Sequence, residues 1–102
     1  MIGVLVMFVL ICYDVCTSNN AGKTRLRKIA KQCQNYGQRV QNSVFECIIE
    51  PHLWVSVKDK LVSIIKKEED SLRFYYLGKE KNAKVEHVGA KPSVDVQGVL
   101  II

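Results

Sequence analysis

The stretch "QRVQNSVFECIIE", residues 38–50, decides how this chain folds. β-branched residues dominate it and the polar "QNS" interrupts it, so it reads as two short strands around Gln41 to Ser43 or as one bent strand. Upstream, Leu26, Ile29, Ala30 and Cys33 recur at three- and four-residue spacing, while Arg25, Arg27, Lys28 and Lys31 fall mainly off that stripe. That pattern predicts a helix over about 21–36, packed on one side and basic on the other, with Gly37 as its C-terminal stop. Further upstream, "FVLICYDV" at 8–15 is continuously apolar up to Asp14, as expected of a central strand covered on both sides.

Downstream, Pro51 opens a second helix. Leu53, Trp54, Val57, Leu61, Ile64 and Ile65 follow helical spacing, with Lys66 and Lys67 suited to the negative end of its dipole. After the charged break "KKEED" comes a strand, "SLRFYYLG", stopped by Gly78. The order is strand, helix, strand, strand, helix, strand. This is the split βαβ, or ferredoxin-like, pattern of an α+β domain, with both helices on one face of an antiparallel sheet. A lysine-rich loop leads to a short fifth strand around "VEHVG", and the tail "DVQGVLII" is apolar. The extra strand and tail leave surface to be covered, and pairing with a second subunit would cover it.

At 102 residues the chain is one domain with a single modest core, so a site should be shallow or shared between subunits. The balance of 48% hydrophobic and 25% charged residues is that of an ordinary globular protein. Charge is the departure: 15 Lys and Arg against 10 Asp and Glu give +5, and no acidic residue lies between Asp14 and Glu46. Lys23, Arg25, Arg27, Lys28, Lys31 and Arg39 fill that gap, a face suited to nucleic acid or another polyanion. Cys12, Cys16, Cys33 and Cys47 lack the spacing of a zinc knuckle and lie in or beside apolar runs, so they read as buried free thiols in a reducing cytoplasm.

The start "MIGVLVMFVLIC" lacks the basic flank of a signal peptide and is too short for a membrane-spanning helix. Read as one strand it would span about 40 Å, long for so small a domain. Met7 is therefore expected as the natural start, or residues 1–6 as an irregular extension.

Two places invite a site. Gly22, Lys23 and Thr24 resemble the end of a phosphate loop, but Thr17 stands where the first glycine of G-x-x-x-x-G-K-[ST] belongs. The simpler reading is a helix start, capped by Ser18 or Asn19, with Lys23 in solvent. Asp14 ends an apolar strand where a carboxylate is costly to bury, and it reads either as a turn residue or as a ligand. One carboxylate is a poor Mg²⁺ site; two copies across a twofold axis make a better one. His52 and His87 have no evident partner in sequence and read as surface or helix-start residues. Trp54 reads as core, and Tyr75 and Tyr76 point to opposite faces of their strand.

Taken together, "VLICYDV", "GKTRLRKIAKQCQNYGQRVQNSVFEC", "DSLRFYYLG", "VEHVG" and "VLII" resemble the CRISPR-associated endoribonuclease family, the smaller of the two CRISPR adaptation proteins. The most specific part is the run from Tyr36 to Glu46 joined to Tyr13 and Asp14. The resemblance implies a ferredoxin-like homodimer in which Asp14 faces its symmetry mate, with one Mg²⁺ per dimer between the two. It implies cleavage of single-stranded RNA, in some members of double-stranded DNA, and a place as the central dimer between dimers of the larger adaptation integrase. Residue by residue, Tyr13 and Asp14 match the acidic motif, Arg25 and Arg27 the basic helix, and Arg39, Ser43 and Phe45 the second motif. The segment from about Val85 to Ile102 matches the strand and tail that pack across the dimer. Residues 1–6, which precede the family's usual start, and Cys12 and Cys16 depart from its pattern. Two other readings stand beside the nuclease: a scaffold gripping duplex DNA by its phosphates, and a ferredoxin-like small-molecule sensor.

Overall fold

The computed structural model describes residues 5–78 and 84–90. Its elements run β1 (Met7–Asp14), α1 (Asn20–Tyr36), β2 (Gly37–Gln41), β3 (Val44–Ile49), α2 (Pro51–Ile64), β4 (Ser71–Leu77) and β5 (Lys84–Gly89). The strands form one sheet in the order β2-β3-β1-β4-β5, antiparallel throughout. This is the expected ferredoxin-like arrangement with an added edge strand. The choice left open at residues 38–50 resolves to two strands, turning at Asn42 and Ser43, with a register shift between Arg39 and Gln41.

Strand alternation sorts the side chains. Val9, Ile11 and Tyr13 of β1, Phe45, Cys47 and Ile49 of β3, and Leu72 and Phe74 of β4 are buried in one cluster with Ile29 and Cys33 of α1 and Trp54, Val57 and Leu61 of α2. Both helices therefore cover the same face of the sheet. On the other face Phe8 pairs with Ile48 on one side and Leu77 on the other, and all three are exposed. They make an apolar row across three adjacent strands.

The helix boundaries have local causes. Asn19 is the N-cap of α1, its Oδ1 accepting from the Gly22 amide at 2.9 Å. A Cβ at Gly22 would overlap the Cys16 carbonyl oxygen, so this glycine lets the helix start pass close under the preceding loop. Gly37 does end α1, but with an extended backbone (φ −147°) that leads straight into β2. What requires glycine there is crowding: a Cβ would lie 2.6 Å from Cys47 Sγ and 2.7 Å from the Glu46 carbonyl. Pro51 opens α2 as expected, but Lys66 and Lys67 lie past its last residue, Ile64, and are not in its final turn.

β5 pairs with β4 of its own chain, from Lys84 opposite Tyr76 to Gly89 opposite Ser71. The rest of the expected dimer-crossing segment, residues 91–102, lies outside the described residues, as do residues 1–4. Among the described residues no helix is long and apolar enough to cross a membrane.

Candidate nucleic-acid and metal site

Asp14 closes β1, opposite Ser71, and is exposed, whereas its neighbour Tyr13 is 6% exposed. The alternation that buries Tyr13 under the helices puts Asp14 on the face away from them. Tyr13 is fixed at the β2–β3 turn: its amide donates to the Ser43 carbonyl at 3.1 Å and its hydroxyl to the Asn42 carbonyl at 3.2 Å. Burial pushes the Tyr13 phenol up, with Arg39 opposing in part. The Tyr13 and Phe45 rings stack at 6.1 Å, and the Arg39 guanidinium sits 5.0 Å over the Phe45 ring. Tyr13, Phe45 and Arg39 thus form one stack, with Ser43 touching it through its backbone. Asp14 is on the other side of the sheet, so the five residues expected at the reacting centre do not converge within one chain.

The basic helix divides as well. Lys23, Arg27, Lys28 and Lys31 of α1 are exposed, and so is Arg39 of β2. Gly22, Lys23 and Thr24 lie within the first turns of α1 and form no phosphate loop. Arg25 turns inward. Its Nε donates to Asp70 Oδ2 at 2.7 Å and a terminal nitrogen to Oδ1 at 3.3 Å, with Glu69 3.5 Å away.

Asp70 is the residue the sequence concealed, because it sits in the run "KKEED" that reads as a solvated break. It has no exposed surface, and besides Arg25 it accepts from the Cys16 amide at 3.0 Å and the Lys66 amide at 2.9 Å. Burial alone would raise its pKa. The Arg25 guanidinium and the two amides outweigh that and hold the carboxyl below its ordinary value. Its backbone carbonyl takes the Ala90 amide at 3.0 Å, beside Gly89, whose φ of +123° no β-carbon would tolerate well. One aspartate therefore ties the loop after Asp14 to α1, to the end of α2 and to the end of β5.

A second polar chain joins α2 to β4 and β5. Trp54 Nε1 donates to the Tyr76 hydroxyl at 3.3 Å, which donates to Glu86 Oε1 at 2.7 Å, and Lys58 Nζ lies 2.6 Å from Glu86 Oε2. Burial and the carboxylate acceptor push the Tyr76 phenol up to about 12.

The thiols are all free, but only Cys33 and Cys47 are buried; Cys12 is partly exposed on the helix-free face of β1, and Cys16 in the loop that follows it. His52 is exposed near Glu50, and His87 is partly buried with its pKa lowered by burial and by Arg73. Among the described residues no three His, Cys, Asp or Glu side chains gather as a metal site. Asp14 of a single chain is one carboxylate, and its fit to Mg²⁺, which takes one or two carboxylates with waters and phosphate oxygens, improves with a second copy.

A split βαβ sheet with a carboxylate at the end of its central strand and lysines along its first helix defines a small ferredoxin-like protein with an acidic strand end and a basic helix. Residues 7–85 match the family described as "CRISPR associated protein Cas2". The chain belongs to that Cas2 family, as the motifs from Tyr13 to Glu46 implied. It is 57% identical over 96 residues to the "CRISPR-associated endoribonuclease Cas2" of Nitratidesulfovibrio vulgaris, covering 94% of each. It is 60% identical over 95 residues to the "CRISPR-associated endonuclease Cas2" of Halalkalibacterium halodurans, covering 93% of this chain and 99% of that one. Its fold is similar to the crystal structure of Streptococcus pyogenes Cas2 at pH 6.5, with a TM-score of 0.66 and 55% identity over 72% of this chain and 89% of the other.

Proposed function

We propose that this chain acts in CRISPR adaptation as a cytoplasmic homodimer that binds nucleic acid and cleaves phosphodiesters with Mg²⁺. Single-stranded RNA is the first substrate to test and double-stranded DNA the second. The observation that carries this reading is Asp14, an exposed carboxylate ending a central strand whose helix-side face is buried, within a chain that belongs to the Cas2 family. Two relatives at 57% and 60% identity are named as an endoribonuclease and an endonuclease.

The apolar row of Ile48, Phe8 and Leu77 supports the dimer, since it lies on the face that also carries Asp14. Two such faces in contact would bring two Asp14 carboxylates to one axis. Held between them, Mg²⁺ would supply Lewis-acid polarisation of a phosphoryl oxygen and a bound water of lowered pKa. Asp14 then serves as ligand, and the exposed cations of α1 with Arg39 hold the phosphate backbone. Tyr13 and Phe45 shape the strand end from below, and Ser43 sets the turn beside it.

The test is Mg²⁺-dependent cleavage of defined RNA and duplex DNA by the wild type and by Asp14→Asn. Activity lost in the variant and in chelator supports the nuclease; activity unchanged overturns the assignment of Asp14. The separation of Arg39 and Tyr13 from Asp14 within a chain favours a second reading, a DNA-gripping scaffold between integrase dimers. Spacer capture that survives Asp14→Asn in cells would support that reading over catalysis.

A further inference from the structure

The stripe that packs α1 contains one residue of the wrong chemistry. Gln32 is 7% exposed, beside Ile29 and Cys33 on the buried side of the helix; its amide makes no side-chain hydrogen bond to a described residue and is not sealed from solvent. Its donor is therefore turned to solvent and not to its own chain, so its surroundings matter. Gln32 lines a groove of about 430 Å³ between α1 and α2, open to solvent, together with Lys28, Lys31 and Asn35 of α1 and Lys60 and Ser63 of α2. No carboxylate lines that groove, and none of its three lysines is in an ion pair among the described residues.

We propose that the α1–α2 groove is a phosphate-binding site, with Lys28, Lys31 and Lys60 as its cations and the Gln32 amide as a neutral hydrogen-bond donor on its wall, and that it seats a nucleic-acid backbone. The proposal rests on the nucleic-acid reading given above and adds where the polymer runs. Three ammonium groups around a neutral amide donor suit an anion with several acceptor oxygens, each able to take a different donor. The groove is open and runs between two helices without closing, which suits an extended polyanion better than a small enclosed ligand. It also lies in the helical layer, across the sheet from Asp14. A strand held there is not presented to its own chain's Asp14, so gripping and cutting would occur on different faces of the protomer.

The experiment measures binding of fluorescently labelled single-stranded RNA and duplex DNA to the full chain across a salt series, alongside Mg²⁺-dependent cleavage. Gln32→Leu should weaken binding about tenfold, the loss expected for one hydrogen bond to a charged group. The double variant Lys28→Ala/Lys60→Ala should lower the slope of log affinity against log salt by about two, irrespective of sequence. Gln32→Glu, nearly the same shape with opposite charge, should lose more than Gln32→Leu, which gives a second reading should the leucine variant unfold. Binding unchanged in these variants while the wild type binds overturns the groove and leaves the nuclease reading standing. A wild type that binds neither nucleic acid overturns both. Gln32-dependent capture of polyglutamate in preference to nucleic acid, or competition by inorganic phosphate at equal phosphate concentration, also overturns the proposal, pointing to an acidic protein segment or to free phosphate.

Discussion

Arg25 Nε donates to Oδ2 of Asp70 at 2.7 Å, joining the middle of the sequence's basic run to a carboxylate with no exposed surface 45 residues away. A cation that composition assigns to the binding face is instead the clamp that sets the loop following Asp14. Two amides complete the arrangement, Cys16 before α1 and Lys66 after α2. Replacing Asp70 by Ala leaves those donors facing a cavity. Breaking one partner of a buried charged network costs about 3 to 5 kcal/mol. Chemical denaturation should show that loss, with cleavage falling too because the strand end loses its support.

The same carboxylate makes stability depend on pH in a defined direction. Its folded pKa is depressed, so the folded state holds the charged form more tightly than the unfolded chain does. That stabilisation is complete above the unfolded value of about 4 and is lost as pH falls through the folded value. The gap in stability between wild type and Asp70→Asn should therefore be constant near neutrality and shrink below about pH 4. A gap that instead widened on acidification would show that Asp70 is not held as a carboxylate.

Gly22→Ala tests the packing of the first turn. In an exposed helix interior this change stabilises by about 1 kcal/mol. Here the new Cβ overlaps the Cys16 carbonyl, and overpacking of that kind costs about 1 to 3 kcal/mol, so the sign should reverse. The melting temperature should fall.

Phe45 separates structure from chemistry. It is fully buried against Tyr13 and beneath Arg39, so Phe45→Ala should cost about 3 to 5 kcal/mol. Phe45→Leu should recover much of that stability. If Phe45 acts by packing, cleavage per folded molecule in the leucine variant stays close to wild type; loss of turnover without loss of stability would make it a direct participant.

Asp14→Asn should do the opposite. The residue is exposed at a strand end, and substitutions at such positions usually change stability by no more than about 0.5 kcal/mol. Cleavage should drop by about 100-fold or more, since even the groups that merely orient a metal's ligands are worth about 10- to 100-fold. A large drop in melting temperature would instead mean that the carboxylate holds the fold.

The fold was legible because periodicity carries it. The α1 stripe, the polar break at Gln41 to Ser43 and Pro51 each mark an element by a local rule, and the structure follows them within a residue or two. The Tyr13 and Asp14 pair was legible too, since a carboxylate stands out at the end of an apolar run. Asp70 and the Glu86 to Lys58 bridge were not. Their partners come from segments far apart in sequence, and a charge in "KKEED" looks the same whether it faces water or an arginine. Arg25 differs from Arg27 in role but not in any property that spacing could reveal, because which of them meets Asp70 depends on how α1 crosses the end of β4.

The chain has one tryptophan, Trp54, 4% exposed, with its ring 5.1 Å from that of Phe74 and its nitrogen donating to Tyr76. It stands where α2 meets the strands that lead into β5, with no position in the α1–α2 groove or beside Asp14. The protein therefore carries its own optical reporter of folding. Its emission can be followed while metal or nucleic acid is added, and a steady signal through such a titration would mean that occupancy leaves the core undisturbed.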